Sequence, residues 1–81
     1  MLTQYVEEAL KRARYELLAD RTYGGKIPSC PGVVAFGKSL YECQSSLREI
    51  LEGWLMVKIR HGDRLPSIAG INLNKYLPKA A

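Results

Sequence analysis

This 81-residue chain has one histidine, one tryptophan, one phenylalanine and two cysteines, and no apolar run longer than four residues. Each scarcity removes a class of function. The run Trp54 to Val57 falls far short of the roughly 20 residues that cross a bilayer. Glu7 and Glu8 interrupt any apolar leader, so the N-terminus does not read as a secretory signal. Cys30 and Cys43 make no disulfide framework, and their spacing fits no zinc or thioredoxin-type motif. They read as small packing residues of a reduced, cytoplasmic protein, although Cys30, between two prolines, sits in a partly open loop. His61 has no serine or carboxylate partner in prospect and reads as a cap at a helix C-terminus.

Carboxylates are also too few in any one place. A two-metal nuclease needs several converging on the ions. Of the eight acidic residues only Glu16 and Asp20 can share a strand face, and a third partner is lacking. Gly24-Gly25 lacks the Gly-x-Gly-x-x-Gly pattern and opens no helix, so it is no phosphate loop. The expectation is a non-enzyme with no catalytic residue, metal ligand or cofactor.

The charge that is present is basic, +4 net, but scattered. Lysine and arginine gather only at 11–14 and 58–61, which read first as solvated helix ends. The rival reading is a small nucleic-acid-binding protein using Arg12, Arg14, Lys58 and Arg60. Tyr5, Tyr15, Tyr23, Tyr41 and Tyr76 are spread out and suggest no base-stacking platform, while Phe36 and Trp54 read as core. With 47% hydrophobic and 25% charged residues, the composition is that of one globular domain spanning 1–81. A core this thin gains from self-association.

Tyr5, Val6, Ala9, Leu10 and Ala13 recur at helical spacing behind Thr3, a plausible N-cap, and predict a helix from about Thr3 to Arg14. Its apolar face must pack on its own sheet or on a second copy, which makes a dimer or higher oligomer a natural expectation. Tyr15 to Asp20 can continue that helix or open a hairpin with Tyr23–Ile27, with Gly24-Gly25 marking a bulge or bend. Pro28 to Gly32 is a loop, and Val33-Val34-Ala35-Phe36 a third strand. Ser39 and Glu42 form a capping box for a long helix, Leu40 to about Arg60. Its apolar face carries Leu40, Cys43, Leu47, Ile50, Leu51, Trp54 and Leu55, continued by Ile59, and Gly62 stops it. Ile68 to Leu73 suggests a fourth strand, and 75–81 a polar tail that frays. The predicted class is α+β: helix, three-stranded antiparallel meander, long helix, fourth strand.

From Tyr15 to about Leu73 the chain resembles the N-terminal domain of HicB antitoxins. Ile27-Pro28-Ser29-Cys30-Pro31-Gly32-Val33 is similar to that family's Pro-x-x-Pro-Gly segment. Ala35 to Cys43 is similar to its capped helix start, and Leu47 to Leu55 to its amphipathic helix. The resemblance implies a partial ribonuclease-H-like fold and a HicA-like, mRNA-cleaving toxin as partner, held inactive by a covered active site. On it, Tyr23, Ile27, Pro28, Pro31 and Gly32 are assigned to partner binding, and Ser39, Glu42, Leu47, Leu51 and Trp54 to the structure. The chain departs from the family in an added N-terminal helix (1–14), in its basic charge, and in ending without a DNA-binding segment. An orphan oligomeric regulator is the alternative within the family.

If the long helix is core, Leu47→Asp and Trp54→Asp each bury an unpaired charge and abolish soluble folding. A cooperative melt of either variant removes that residue from the core.

Overall fold

A computed structural model describes residues 2–76 of the chain, with side chains to residue 74. Two helices pack on one face of a three-stranded antiparallel sheet: α1 (Leu2–Lys11), β1 (Arg14–Leu17), β2 (Tyr23–Lys26), β3 (Val34–Gly37) and α2 (Leu40–His61). The strands lie in the order β1-β2-β3, and a short 3-10 helix, Leu73–Tyr76, follows α2.

The first helix begins at Leu2, so Thr3 lies inside it rather than capping it, and it ends at Lys11. Arg12 and Ala13 donate to the carbonyls of Ala9 and Leu10, three residues back, which tightens the last turn and turns the chain into β1. Between the two sequence readings of Tyr15 to Asp20, the structure takes the hairpin. The Asp20 carboxylate accepts from the Thr22 N–H at 3.1 Å and from its hydroxyl at 2.6 Å, fixing a turn with Arg21 at φ 67°.

Gly24 and Gly25 form no bulge. Each pairs in unbroken register on both sides, Gly25 with Tyr15 and Ala35. Their smallness serves packing instead. A β-carbon on Gly25 would stand 2.8 Å from the Tyr15 ring and 3.0 Å from the Cys43 sulfur. One on Gly37 would meet the backbone nitrogen of Cys43. The first turn of α2 thus lies directly on the sheet.

That turn starts where the sequence places it. The Ser39 side chain accepts from the Glu42 N–H at 3.1 Å. The returning Glu42 carboxylate accepts from Lys38 N–H at 3.0 Å, one residue before the expected Ser39. Gly62 closes the helix in the left-handed region, φ 71°, and its N–H donates to carbonyls of the last turn.

The core gathers Tyr5, Val6 and Ala9 from α1 and Cys43, Leu47, Leu51 and Leu55 from α2. Ile27, Cys30, Val33 and Ala35 meet them from the sheet side, and Leu65, Ile68 and Leu73 close one end. Leu40 and Ile50, placed on the apolar face by the sequence, are exposed at its edges, and Trp54 is only half-buried, its ring under the Lys58 ammonium at 5.6 Å.

The expected fourth strand is absent among the described residues. Ile68 and Ile71 bond only to each other, across a two-residue turn in which Ala69 and Gly70 have φ of 52° and 77°. Two successive left-handed residues reverse the chain on the spot, so the alternation of Ile68 to Leu73 never meets the sheet. Asn74 then clasps Leu65 from both sides, accepting from its N–H at 2.8 Å and donating to its carbonyl at 2.7 Å. Of the tail assigned to 75–81, Lys75 and Tyr76 continue the 3-10 helix, and 77–81 lie outside the described residues.

Gly37→Ala costs about 1–3 kcal/mol, since the obstructing atoms are helix backbone. Gly53→Ala, in open space on α2, raises stability by about 0.5–1 kcal/mol. Urea unfolding of both variants checks the pair, and equal effects would refute close seating of α2.

Candidate functional site

Among the described residues, the helices cover one face of the sheet and leave the other bare. Antiparallel alternation sends Tyr15, Gly25 and Ala35 toward the helices. It sends Arg14, Glu16, Gly24, Lys26, Val34 and Phe36 to the opposite, open face. Phe36 is 62% exposed there and Val34 44%. Phe36, read from the sequence as core, is therefore a surface residue. Composition marked the strand; only the parity that puts Val33 and Ala35 inward reveals which ring points out.

That ring lies over Gly24. Gly24 pairs with Phe36, and a β-carbon on it would stand 3.4 Å from the ring. The missing side chain leaves a shallow hollow of about 320 Å³ beside Phe36 and Val34, bordered by Arg14, Glu16 and Lys26. Arg14, Lys26 and Val34 form one cross-strand row, and Glu16, Gly24 and Phe36 the next. An apolar strip with cations at one side and one carboxylate can hold a partner by contact and orient it by charge.

The residues assigned to partner binding are divided. Pro28, Pro31 and Gly32 are exposed together on the β2–β3 loop, with Gly32 at φ 92°. They line a second hollow of about 470 Å³ that adjoins Lys26 and Val34. Ile27 is 2% exposed and belongs to the core, because the alternation that exposes Lys26 turns Ile27 inward. Tyr23 is half-buried at the opposite end of β2, paired with Leu17 and Gly37.

The basic residues of the nucleic-acid reading do not converge. Arg12 donates to the Glu8 carbonyl at 3.0 Å, and Lys58 stands 3.8 Å from Asp63. Glu16 lies on β1 and Asp20 in the following turn, and no cluster of potential metal ligands occurs among the described residues.

The buried polar chemistry is structural. Tyr5 donates to the Pro66 carbonyl at 2.7 Å, tying α1 to the segment after α2. Burial, and then the neighbouring Cys30, push the Tyr5 hydroxyl up to about 12. Both thiols are fully buried, and burial raises both, so neither is a ready nucleophile. Cys30, placed by sequence in a partly open loop, is sealed in the core. Cys43 points its sulfur at the Ala35 carbonyl, 3.7 Å away.

The UPF0150-like family pattern matches residues 4–66. No curated protein matches the chain in sequence. The crystal structure of TTHA0281 from Thermus thermophilus is similar, with a TM-score of 0.83 and 49% identity, over 88% of this chain and 89% of that one. The match begins within α1 and runs past the end of α2.

Well below pH 9 the thiols and Tyr5 are protonated whether the chain is folded or not. As pH rises from 9 through 10 toward 12, the unfolded chain releases protons that the folded one holds, so stability falls across that window. Melting temperature against pH checks this. Tyr5→Phe flattens the upper part of the curve and, by leaving the Pro66 carbonyl unpaired, costs about 1–3 kcal/mol at neutral pH. An unchanged profile would contradict the buried hydroxyl.

Proposed function

The chain belongs to the UPF0150-like family, which includes HicB-like antitoxin-type proteins, and from that membership we propose that it is a non-catalytic, HicB-like protein-binding module. Its role on this reading is that of an antitoxin, which covers the active site of a HicA-like mRNA-cleaving toxin. The observation that carries the reading is the bare sheet face. Phe36 and Val34 lie open beside the Gly24 hollow, next to the exposed Pro28-to-Gly32 loop. A folded domain gains nothing from exposing an aromatic ring there, whereas a partner that covers it gains its full burial.

Charge attraction contributes little on this reading. A chain of net +4 facing an RNA-cleaving partner, itself basic, must rely on apolar contact and main-chain hydrogen bonds. The complex then weakens only modestly as salt rises.

The test is to express the adjacent reading frame alone and together with this chain. Arrest by the neighbour, relief by this chain and a co-purifying complex support the antitoxin. Phe36→Asp, on an exposed site that leaves the core intact, weakens that complex about 30-fold or more. A harmless neighbour with no complex overturns the proposal. So does a complex whose affinity collapses with salt and ignores Phe36.

A further inference from the structure

We infer that β3 is a self-pairing edge: two copies of the chain join antiparallel along Val34–Gly37 into one six-stranded sheet, with Ala35 on the two-fold axis. This goes beyond the antitoxin reading and does not depend on who the other partner is.

The hydrogen-bond parity of the strand sets the register. Ile27 N–H donates to the Val33 carbonyl, so residues 33, 35 and 37 turn their main-chain groups toward β2. Residues 34 and 36 therefore turn theirs outward, where no strand pairs with β3 among the described residues. The next N–H, that of Lys38, is taken by Glu42. The free edge thus offers the N–H and C=O of Val34 and of Phe36. A two-fold axis at Ala35 sets Val34 opposite Phe36 of the second copy, and Phe36 opposite its Val34. All four groups on each copy are then paired.

The side chains agree with this register. Cross-strand neighbours share a face, so each exposed Phe36 ring lies against the partner copy's exposed valine, an aromatic and β-branched pair of the kind that stabilises sheets. Edge strands that must stay single are guarded by charge or proline. The opposite edge, β1, carries Arg14 and Glu16, whereas Val33 to Gly37 holds no charge and no proline.

The helices also fit. α2 lies over β2 and β3, with Cys43 against both Gly25 and Gly37. Strands about 4.8 Å apart put a helix centred between β2 and β3 about 5 Å from the axis. The two α2 helices then run about 10 Å apart, at the outer end of the range in which helices pack. Ile50 and Val57 are exposed on the flank of α2 turned away from α1, as an apolar lining for that seam requires.

The wild-type protein is predicted to show a mass of twice 9.1 kDa by sedimentation equilibrium. Val34→Pro removes an outward N–H that no bond among the described residues uses, so it leaves the fold intact and gives a monomer. Mixing Val34→Cys protein with Phe36→Cys protein and oxidising gives a covalent heterodimer. The paired α-carbons, about 5.5 Å apart, suit a disulfide. Met56→Cys, on the groove between α1 and α2, serves as the control and gives none with either. A monomeric wild type at millimolar concentration overturns the inference, as does a folded Val34→Pro protein that stays dimeric. Cross-linking no better than the control does the same, whether or not Val34→Pro folds. A monomer that still relieves growth arrest defeats self-pairing alone, and a dimer that does not relieve it defeats the antitoxin alone.

Discussion

Everything in this fold rests on how closely the start of α2 lies on the sheet. At Gly25 and Gly37 the strands present no side chains, and Cys43 fills the space that a β-carbon would claim. A glycine within a strand costs roughly 0.5–1 kcal/mol in chain entropy. That cost is offset because the close seating sets the depth at which Leu47, Leu51 and Leu55 enter the core. The Ser39 cap fixes where the helix begins, and therefore which residue arrives over the glycines. A start displaced by one residue would turn the buried row by about 100° and bring charged side chains inward.

The first helix completes what α2 begins. Tyr5, Val6 and Ala9 fill the flank that α2 leaves uncovered, and Glu7 pairs with Arg48 at 2.5 Å across the two helices. Its apolar face is consumed within the chain, the first of the two fates the sequence allows for it. Exposed apolar side chains remain elsewhere: Leu17 on β1, Val34 and Phe36 on β3, and Tyr41, Ile50, Met56 and Val57 along α2.

What could be read from the sequence was local. The capping box, the long apolar face and Gly62 specify α2 almost to the residue, because each acts within a turn or two of itself. The strands were legible as runs, and with them the α+β class. Their orientation was not: Phe36 and Ile27 were assigned from residue type, although the period of two across Val33 to Phe36 held the answer. The Ile68 to Leu73 segment failed for another reason. Its pattern is that of a strand, but the left-handed pair Ala69-Gly70 decides its path, and alanine gives no sign of a positive φ. Of the candidate site, the Pro28–Gly32 loop was legible from its turn residues, while the Gly24 hollow depends on which residue stands opposite across two strands.

The bond between Tyr5 and Pro66 joins positions 61 residues apart. The first helix is synthesised before the rest of this fold and is among the last elements to find its resting place. At about 5–20 residues per second, some 3–12 s separate the appearance of the tyrosine from that of the carbonyl that accepts its hydrogen bond. Throughout that interval Tyr5, Val6 and Ala9 have no finished surface to cover them. This fold therefore closes only after residue 66 has been made, and its first helix is the segment most in need of shelter until then.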